Sequence, residues 1–296
     1  MLASQKGFSE VTQYIRSMRG GSQSILVKAS DGHNYVAKFT NNLQGPNLSF
    51  NESAGSELYR ACGLSVPYWK PLLITDHFLD QNPDCWMQTP EGRLRPATGL
   101  CFGSRYLGTD GLRIVQILPE ISFKRIKNRA SFWVAWMLDI CAEHADDRQA
   151  IFQQDSKGRW KAFFIDHGHL FGGPRGDMQS SPQVSLSLDP RIYPDMASEE
   201  TPDAPPLDQI LNVDRLWSKI QTIPQDWKTK SALDSFARCL CTLSNPSMLQ
   251  DIFAAMVDGL KNRRKCEHRV AGIDRKPVLR SCSVRGQLTP QAIHLK

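Results

Sequence analysis

Strand signals crowd the first part of this chain and helical signals the last, and that order constrains the fold more than any single motif does. Up to about residue 100 the sequence reads as strands and hairpins, whereas beyond about Asn128 it is mainly helical, the segregated pattern of an α+β protein. The clearest local element runs from Ser24 to Phe39, where the apolar runs SILVKA and NYVAKF flank Asp31-Gly32, a dipeptide suited to the positive φ of a type I′ hairpin turn. Ser49-Phe50-Asn51-Glu52 then reads as a capping box opening a short helix that Gly63 ends. Residues 80–97, rich in Pro, Asp, Gly and Gln, read as a surface excursion, and 99–115 as two short strands around Gly108-Thr109-Asp110-Gly111.

The second half opens on a helix that is apolar on almost every side between Asn128 and Glu143, so it belongs in the interior, and Asp139 within it is out of character. A second hairpin follows, Ala150-Ile151-Phe152 and Trp160–Ile165 joined across Asp155–Gly158, and it ends on Asp166-His167-Gly168. Past a Gly-, Pro- and Ser-rich loop at about 172–206, helices are expected near 207–221, 229–244 and 247–264. The expected organisation is a small β-rich lobe over 1–110, a larger, mainly helical lobe over 111–269 and a basic flexible tail over 270–296.

With 296 residues, 41% hydrophobic, the chain can bury a sizeable core without staples. No stretch approaches the about eighteen apolar residues of a membrane span, so no membrane association and a cytoplasmic location are expected. The eight Cys are irregularly spaced and read as small buried apolar residues of a reducing compartment. Cys239-x-Cys241 with Cys266-x-His268 lacks a CxxC pair and is set aside as a zinc site. The net charge of +6 is concentrated toward the C-terminal end, where a weak nucleic-acid contact is one reading and a solvated tail the other.

Four kinds of group serve phosphoryl transfer from ATP: backbone donors for phosphates, a cation to orient them, carboxylates for magnesium and a carboxylate near the incoming hydroxyl. Gly20-Gly21-Ser22-Gln23-Ser24 supplies a bend whose N–H groups can face an anion. Lys38, near the end of YVAKF, would project beneath that bend, and Glu52 on the following helix is the carboxylate placed to hold it. Asp146 and Asp147 follow the buried helix, and the next hairpin delivers Asp166 at the mouth of a strand, where a cation can be held by oxygen ligands.

These motifs, spanning about residues 16–172, resemble the HipA-like kinase family, in particular a bacterial subgroup of it: GGSQSIL, YVAKF, NNLQGPN, Asn51-Glu52 with Gly63–Pro67 after it, ADDRQAIF and FIDHGHLF. The part beyond about 206 matches loosely, and FIDHGHLF with the Asp-Arg pair also looks like phosphatidylinositol-kinase motifs. The resemblance implies a bilobal, protein-kinase-like fold and a serine/threonine kinase using ATP and Mg2+ on a protein acceptor. It implies that Gly21, Ser22 and Gln23 contact phosphates, Lys38 pairs the nucleotide, Glu52 orients Lys38, Asp146 accepts the substrate proton and Asp166 binds magnesium. Asp147, next in line, leaves the base ambiguous by one position. Two positions depart from the family: its usual Asn two residues before the catalytic Asp is His144, and its magnesium-binding Asn five residues after is Ile151. An apolar side chain cannot ligate a hard cation, so a second-metal role would pass to Gln149. An ATP-binding module without turnover is therefore the alternative, and a nucleic-acid-binding regulator acting through the basic C-terminal end is the third reading.

Overall fold

The computed structural model of the chain describes residues 7–108, 112–176, 192–193 and 204–271, with side chains in the last helix as far as residue 260. Five strands close into a barrel in the order β1 (Ser9–Ser17), β2 (Ile25–Ala29), β3 (Asn34–Lys38), β7 (Gly99–Arg105) and β4 (Trp69–Ile74). Four of its pairings are antiparallel; the closure is parallel, Ser9 opposite Leu72 and Glu10 opposite Leu73. Alternation along the strands sends Val11, Ile25, Val27, Tyr35, Ala37, Leu72 and Cys101 into the barrel interior. The residues between them face outward, and the register sets Arg16 opposite Leu26, Leu26 opposite Val36, Val36 opposite Ser104 and Lys38 opposite Phe102. The outer face carrying Lys38 is thus fixed by strand register.

The first hairpin forms, but not on a type I′ turn. That turn needs a left-handed φ at both central residues, and here Gly32 has it (φ 82°) while Asp31 does not. The loop is longer, closed by Gly32 N to Ala29 O (2.9 Å) and Ala29 N to His33 O (2.9 Å). Asp31 instead uses its carboxylate to accept from Ser9 Oγ (2.9 Å), Tyr35 Oη (2.8 Å) and His33 N (3.1 Å).

Helix α1 (Leu48–Ala61) begins one residue before Ser49, with Asn47 at its N-cap and no side-chain cap bond. The expected capping box does not form, because Ser49 lies inside the helix and Glu52 turns toward Lys38. Gly63 (φ 80°) ends it as expected, its N–H bonded to Arg60 O and that of Leu64 to Tyr59 O. Residues 80–97 are more than a surface excursion: helix α2 (Asp76–Gln81) and a turn at Pro83–Cys85 lead into the hairpin β5 (Met87–Thr89) and β6 (Gly92–Leu94), and Cys85 and Met87 join the barrel's core cluster. Of the two strands expected at 99–115, β7 is a full barrel strand and β8 (Ile114–Val115) belongs to a different sheet.

Helix α3 (Ser131–Cys141) is the buried helix, with Phe132, Ala135, Met137 and Leu138 all within the core. The second hairpin, β9 (Gln149–Gln154) and β10 (Trp160–Ile165), makes a three-stranded sheet with β8. Helices α4 (Leu207–Ile210), α5 (Val213–Gln221), α6 (Lys230–Leu243) and α7 (Pro246–Ala271) follow. The apolar core is not parted at residue 110: Phe50, Ala54, Leu58 and Tyr59 of α1 and Phe102 of β7 pack with the helical residues, while the barrel interior forms its own cluster.

No helix among the described residues is long and apolar enough to cross a membrane. Cys62, Cys85, Cys101, Cys141 and Cys239 are buried free thiols and Cys241 is exposed, so Cys239 and Cys241 of the zinc motif set aside above face different surroundings. The basic stretch at 272–296 lies outside the described residues.

Candidate active site

Lys38 ends β3 on the outer face of the barrel, and its ammonium contacts two carboxylates there: Glu52 of α1 and, 2.7 Å away, Oδ1 of Asp166 just after β10. Lys38 and Glu52 are both buried. Burial by itself pushes the ammonium down, but the Glu52 and Asp166 carboxylates outweigh it and hold Lys38 above the ordinary lysine range. Burial pushes the Asp166 carboxyl up, and Lys38 outweighs that too, leaving it below the usual carboxylate range. Glu52, the deeper of the two, is raised by burial and by the Asp166 charge. One cation between two carboxylates leaves the cluster a net negative charge, an arrangement that favours a further cation.

Asp166 is held in a left-handed conformation (φ 61°), which costs of order 1 kcal/mol or more for a residue with a Cβ. The restraint comes from Arg148, whose Nη1 donates to Ile165 O (2.9 Å) and to Nδ1 of His167 (3.1 Å), the residues on either side of Asp166. Arg148 is buried against Asp139 of α3, with Nη2 to Oδ1 at 2.5 Å and Nε to Oδ2 at 3.1 Å, and Tyr59 Oη donates to the same Oδ1 at 2.5 Å. Asp139, the charged residue out of place in an apolar helix, is therefore the anchor of the loops that carry Asp146 and Asp166. His144 joins the group, its N–H donating to Asp139 O at 2.9 Å and its Nδ1 lying 3.6 Å from Oδ1.

The two histidines are neutral. A guanidinium can only donate, so Nδ1 of His167 accepts and its proton sits on Nε2. Burial, reinforced by Arg148, holds His167 well below the usual imidazole range and His144 at about 4. As pH falls below the unfolded value near 6.5, the unfolded chain takes up protons that the folded one refuses, so stability drops on acidification. Each imidazole is expected to contribute about 1.4 kcal/mol per pH unit across that window. Urea unfolding between pH 7 and pH 5 should show a falling midpoint, with a shallower slope in His144→Gln; a flat profile would contradict two buried neutral rings.

Helix α1 is fastened to the segment after Asp166 independently of Glu52. The Asn51 amide nitrogen faces three carbonyls, Gly168 (3.0 Å), Leu170 (2.8 Å) and Gly173 (3.1 Å). His167 N donates to Glu52 Oε2 at 3.2 Å. The approach is close enough to require glycine at position 55, where a Cβ would lie 2.6 Å from the Cβ of His167. Sequence reasoning named Asn51 only as part of a motif; its role depends on a loop more than a hundred residues away.

A cavity of about 410 Å3 gathers Gly20, Gly21, Ser22, Lys38, Glu52, Asp146, Gln149 and Asp166 into one wall system, with Val36, Phe102, Leu107, Val115, Ile151 and Phe164 forming an apolar part. Two expected residues are not brought there. The Gln23 side chain turns away, donating to Gln88 O (2.8 Å) and accepting from Gln88 N (2.6 Å), so it braces the glycine turn against β5 instead of facing a ligand. Asp147 is exposed and off the cavity wall, while Asp146 lines it and accepts from Asp147 N at 2.7 Å. Gln149, paired across the hairpin with Ile165, donates from Nε2 to Oδ2 of Asp166 at 2.8 Å, so its amide oxygen is the group a cation could use. Among the described residues no cluster of three or more His, Cys, Asp or Glu could hold a metal on its own. An ionised Asp166 beside one amide oxygen suits magnesium, which is usually bound through one or two protein oxygens together with substrate phosphates.

No protein-family profile and no curated protein matches the chain. Solved structures do. A Golgi casein kinase with Mn/ADP bound aligns at TM-score 0.53 and 12% identity, over 83% of this chain and 74% of that one. Hydra Fam20 with sugar aligns at TM-score 0.51 and 12% identity, over 83% and 86%. The Helicobacter pylori proinflammatory kinase CtkA aligns at TM-score 0.49 and 13% identity, over 84% and 96%. At such identities the likeness concerns architecture: the chain has a protein-kinase-like fold.

Proposed function

With a protein-kinase-like fold as the premise, we propose that this chain binds ATP in the 410 Å3 cavity and transfers its terminal phosphoryl group to a hydroxyl, as a HipA-like kinase acting on Ser or Thr of a protein. The observation that carries the reading is the meeting of Lys38, Glu52 and Asp166 in the cavity wall that also holds Asp146 and the glycine turn, although Lys38 and Asp166 are 128 residues apart. Phosphoryl transfer asks for little covalent chemistry and much placement of charge. The apolar walls at Val36, Phe102 and Leu107 take the base, and the N–H groups of Gly20–Ser22 face the phosphates. Glu52 holds Lys38 charged and extended so that its ammonium can pair with phosphate oxygens. Asp146 accepts the hydroxyl proton as the oxygen attacks the terminal phosphorus, the bond to the bridging oxygen breaks, and ADP leaves. Magnesium, held by Asp166 and the Gln149 amide oxygen, would offset the phosphate charge; the Mn/ADP of the Golgi casein kinase structure is in keeping with a nucleotide and a divalent ion here.

A second reading, nucleotide binding without turnover, is favoured by Ile151, which puts an apolar side chain in the cavity wall where the resemblance expects a metal-binding Asn. One experiment separates the two. Saturating Mg-ATP is expected to raise the melting temperature of the wild type by several degrees, on the scale of about 2.7 kcal/mol at a hundredfold excess over Kd, and Lys38→Met should lose most of that shift. Phosphoprotein formation from labelled ATP supports the kinase; a thermal shift with no transfer under varied metals supports the binding module, and no shift at all removes the nucleotide reading.

A further inference from the structure

The loop joining β3 to α1 plays no part in the chemistry above, yet one of its side chains spans the polar end of the cavity. Gln44 lines the cavity, its Nε2 lies 3.1 Å from Nε2 of His169, and the same nitrogen is 3.3 Å from where a Cβ on Gly21 would be. One amide thus touches both the glycine turn and the segment three residues past Asp166. Both neighbours are themselves tied in place. Gln44 N donates to Asn42 Oδ1 (3.0 Å), Asn42 Nδ2 donates to Ser22 O (2.7 Å), and Arg175 Nε donates to Gln44 O (3.0 Å). On the other side His169 O accepts from Ala145 N (2.9 Å), the residue before Asp146. The amide therefore stands where the glycine turn, the proposed base and the proposed metal ligand converge, not at the apolar walls.

An amide nitrogen is a donor only, so Nε2 of His169 accepts one of its two hydrogens, with the ring proton on Nδ1. Within that pair the second hydrogen is unused; Oε1 of the same amide is buried without a hydrogen-bond partner and, as an acceptor, cannot itself meet a phosphate. We propose that Gln44 donates it to the terminal phosphoryl group, making the β3–α1 loop a reader of the third phosphate that His169 orients. The proposal rests on the nucleotide reading of the same cavity. Lys38 offers a charge that any phosphate would attract, whereas Gln44 offers a neutral, fixed donor whose value depends on an oxygen being in one place. Its contribution is discrimination of a nucleoside triphosphate from a diphosphate.

The test is titration calorimetry of the full chain with Mg-ADP and with a non-hydrolysable Mg-ATP analogue. The wild type is expected to prefer the analogue, and Gln44→Leu to weaken the analogue by about tenfold, the loss of one hydrogen bond to a charged group, while leaving ADP within about twofold. Equal weakening of both ligands, or of neither, overturns the proposal, as does a wild type without preference. Should Gln44→Leu fail to fold, Gln44→Glu keeps the side-chain length and sets a carboxylate against the phosphate; it should turn the preference toward ADP, and an unchanged preference is equally fatal. A wild type that binds neither nucleotide refutes the nucleotide reading itself, and with it the role of Gln44.

Discussion

Asp166→Asn is expected to lower phosphoryl transfer by about a thousandfold or more at a modest cost in stability that leaves the protein folded. The catalytic part follows from the loss of a carboxylate that Lys38 holds ionised at a strand mouth; a metal ion bound there would contribute several kcal/mol of transition-state charge stabilisation, and each 1.36 kcal/mol is about tenfold in rate. Stability should fall modestly, because Lys38 holds the Asp166 carboxyl below the usual range and its charged form therefore favours the folded state, while Lys38 and Glu52 remain paired without it. The backbone adds no cost, since Asn, like Asp, tolerates the left-handed conformation of position 166 (φ 61°). Thermal melts alongside labelled-ATP assays decide it. Activity within tenfold of wild type would remove Asp166 from the metal-binding role, and a melt raised above wild type would mean that the carboxylate strains the cluster rather than holding it.

Asp139→Ala is expected to destabilise the protein by about 3–5 kcal/mol, because it breaks a buried ion pair by removing the carboxylate that the Arg148 guanidinium grips at two points. At about 2–4 °C per kcal/mol for a domain of this size class, the melting temperature should fall by roughly 10 °C or more. Arg148 then keeps its bonds to Ile165 O and His167 but loses the carboxylate it grips through Nε and Nη2, and Tyr59 Oη keeps Ala135 O at 3.2 Å. The double variant Asp139→Leu with Arg148→Met removes both charges and should recover much of the stability, as apolar replacements of buried pairs commonly do. It should not recover phosphoryl transfer, because the residues on either side of Asp166 then lose the guanidinium that bridges them. A single variant costing less than about 1 kcal/mol, far under the buried-pair scale, or a double variant with restored transfer, would show that this network does not position the loop.

Asp139 also illustrates how far the chain could be read without coordinates. A charge inside a helix as apolar as Phe132–Ile140 signals a buried partner, but nothing local names it, because Arg148 lies in the next loop and Tyr59 eighty residues earlier. Gln23 and Gln44 make the complementary case. Both are glutamines in motifs quoted for the resemblance, which assigns a phosphate contact to the one inside the glycine turn and no role to the other. Its φ of 43° and its bonds to Gln88 point it at a strand 65 residues on, while Gln44 reaches into the cavity. Side-chain direction at an irregular turn depends on what packs beside it, and that cannot be read from spacing.

From residue order alone came the hairpin around Asp31-Gly32, the stop at Gly63, the buried helix before Asp146, the second hairpin ending on Asp166, and the sequence of glycine turn, lysine, helix glutamate and two acidic loops. These are local matters: periodicities of two and 3.6 residues and the turn chemistry of Gly and Asp act within a few positions of the chain. Only the tertiary structure decided that the strands close into a barrel through Ser9 and Leu72, that Glu52 serves Lys38 rather than a capping box, that Asp146 faces the cavity and Asp147 does not, and that Asn51 grips the segment after Asp166. Each of those joins parts of the chain brought together by packing, where strand register and the exclusion of water from the core select the partner that short-range pattern leaves open.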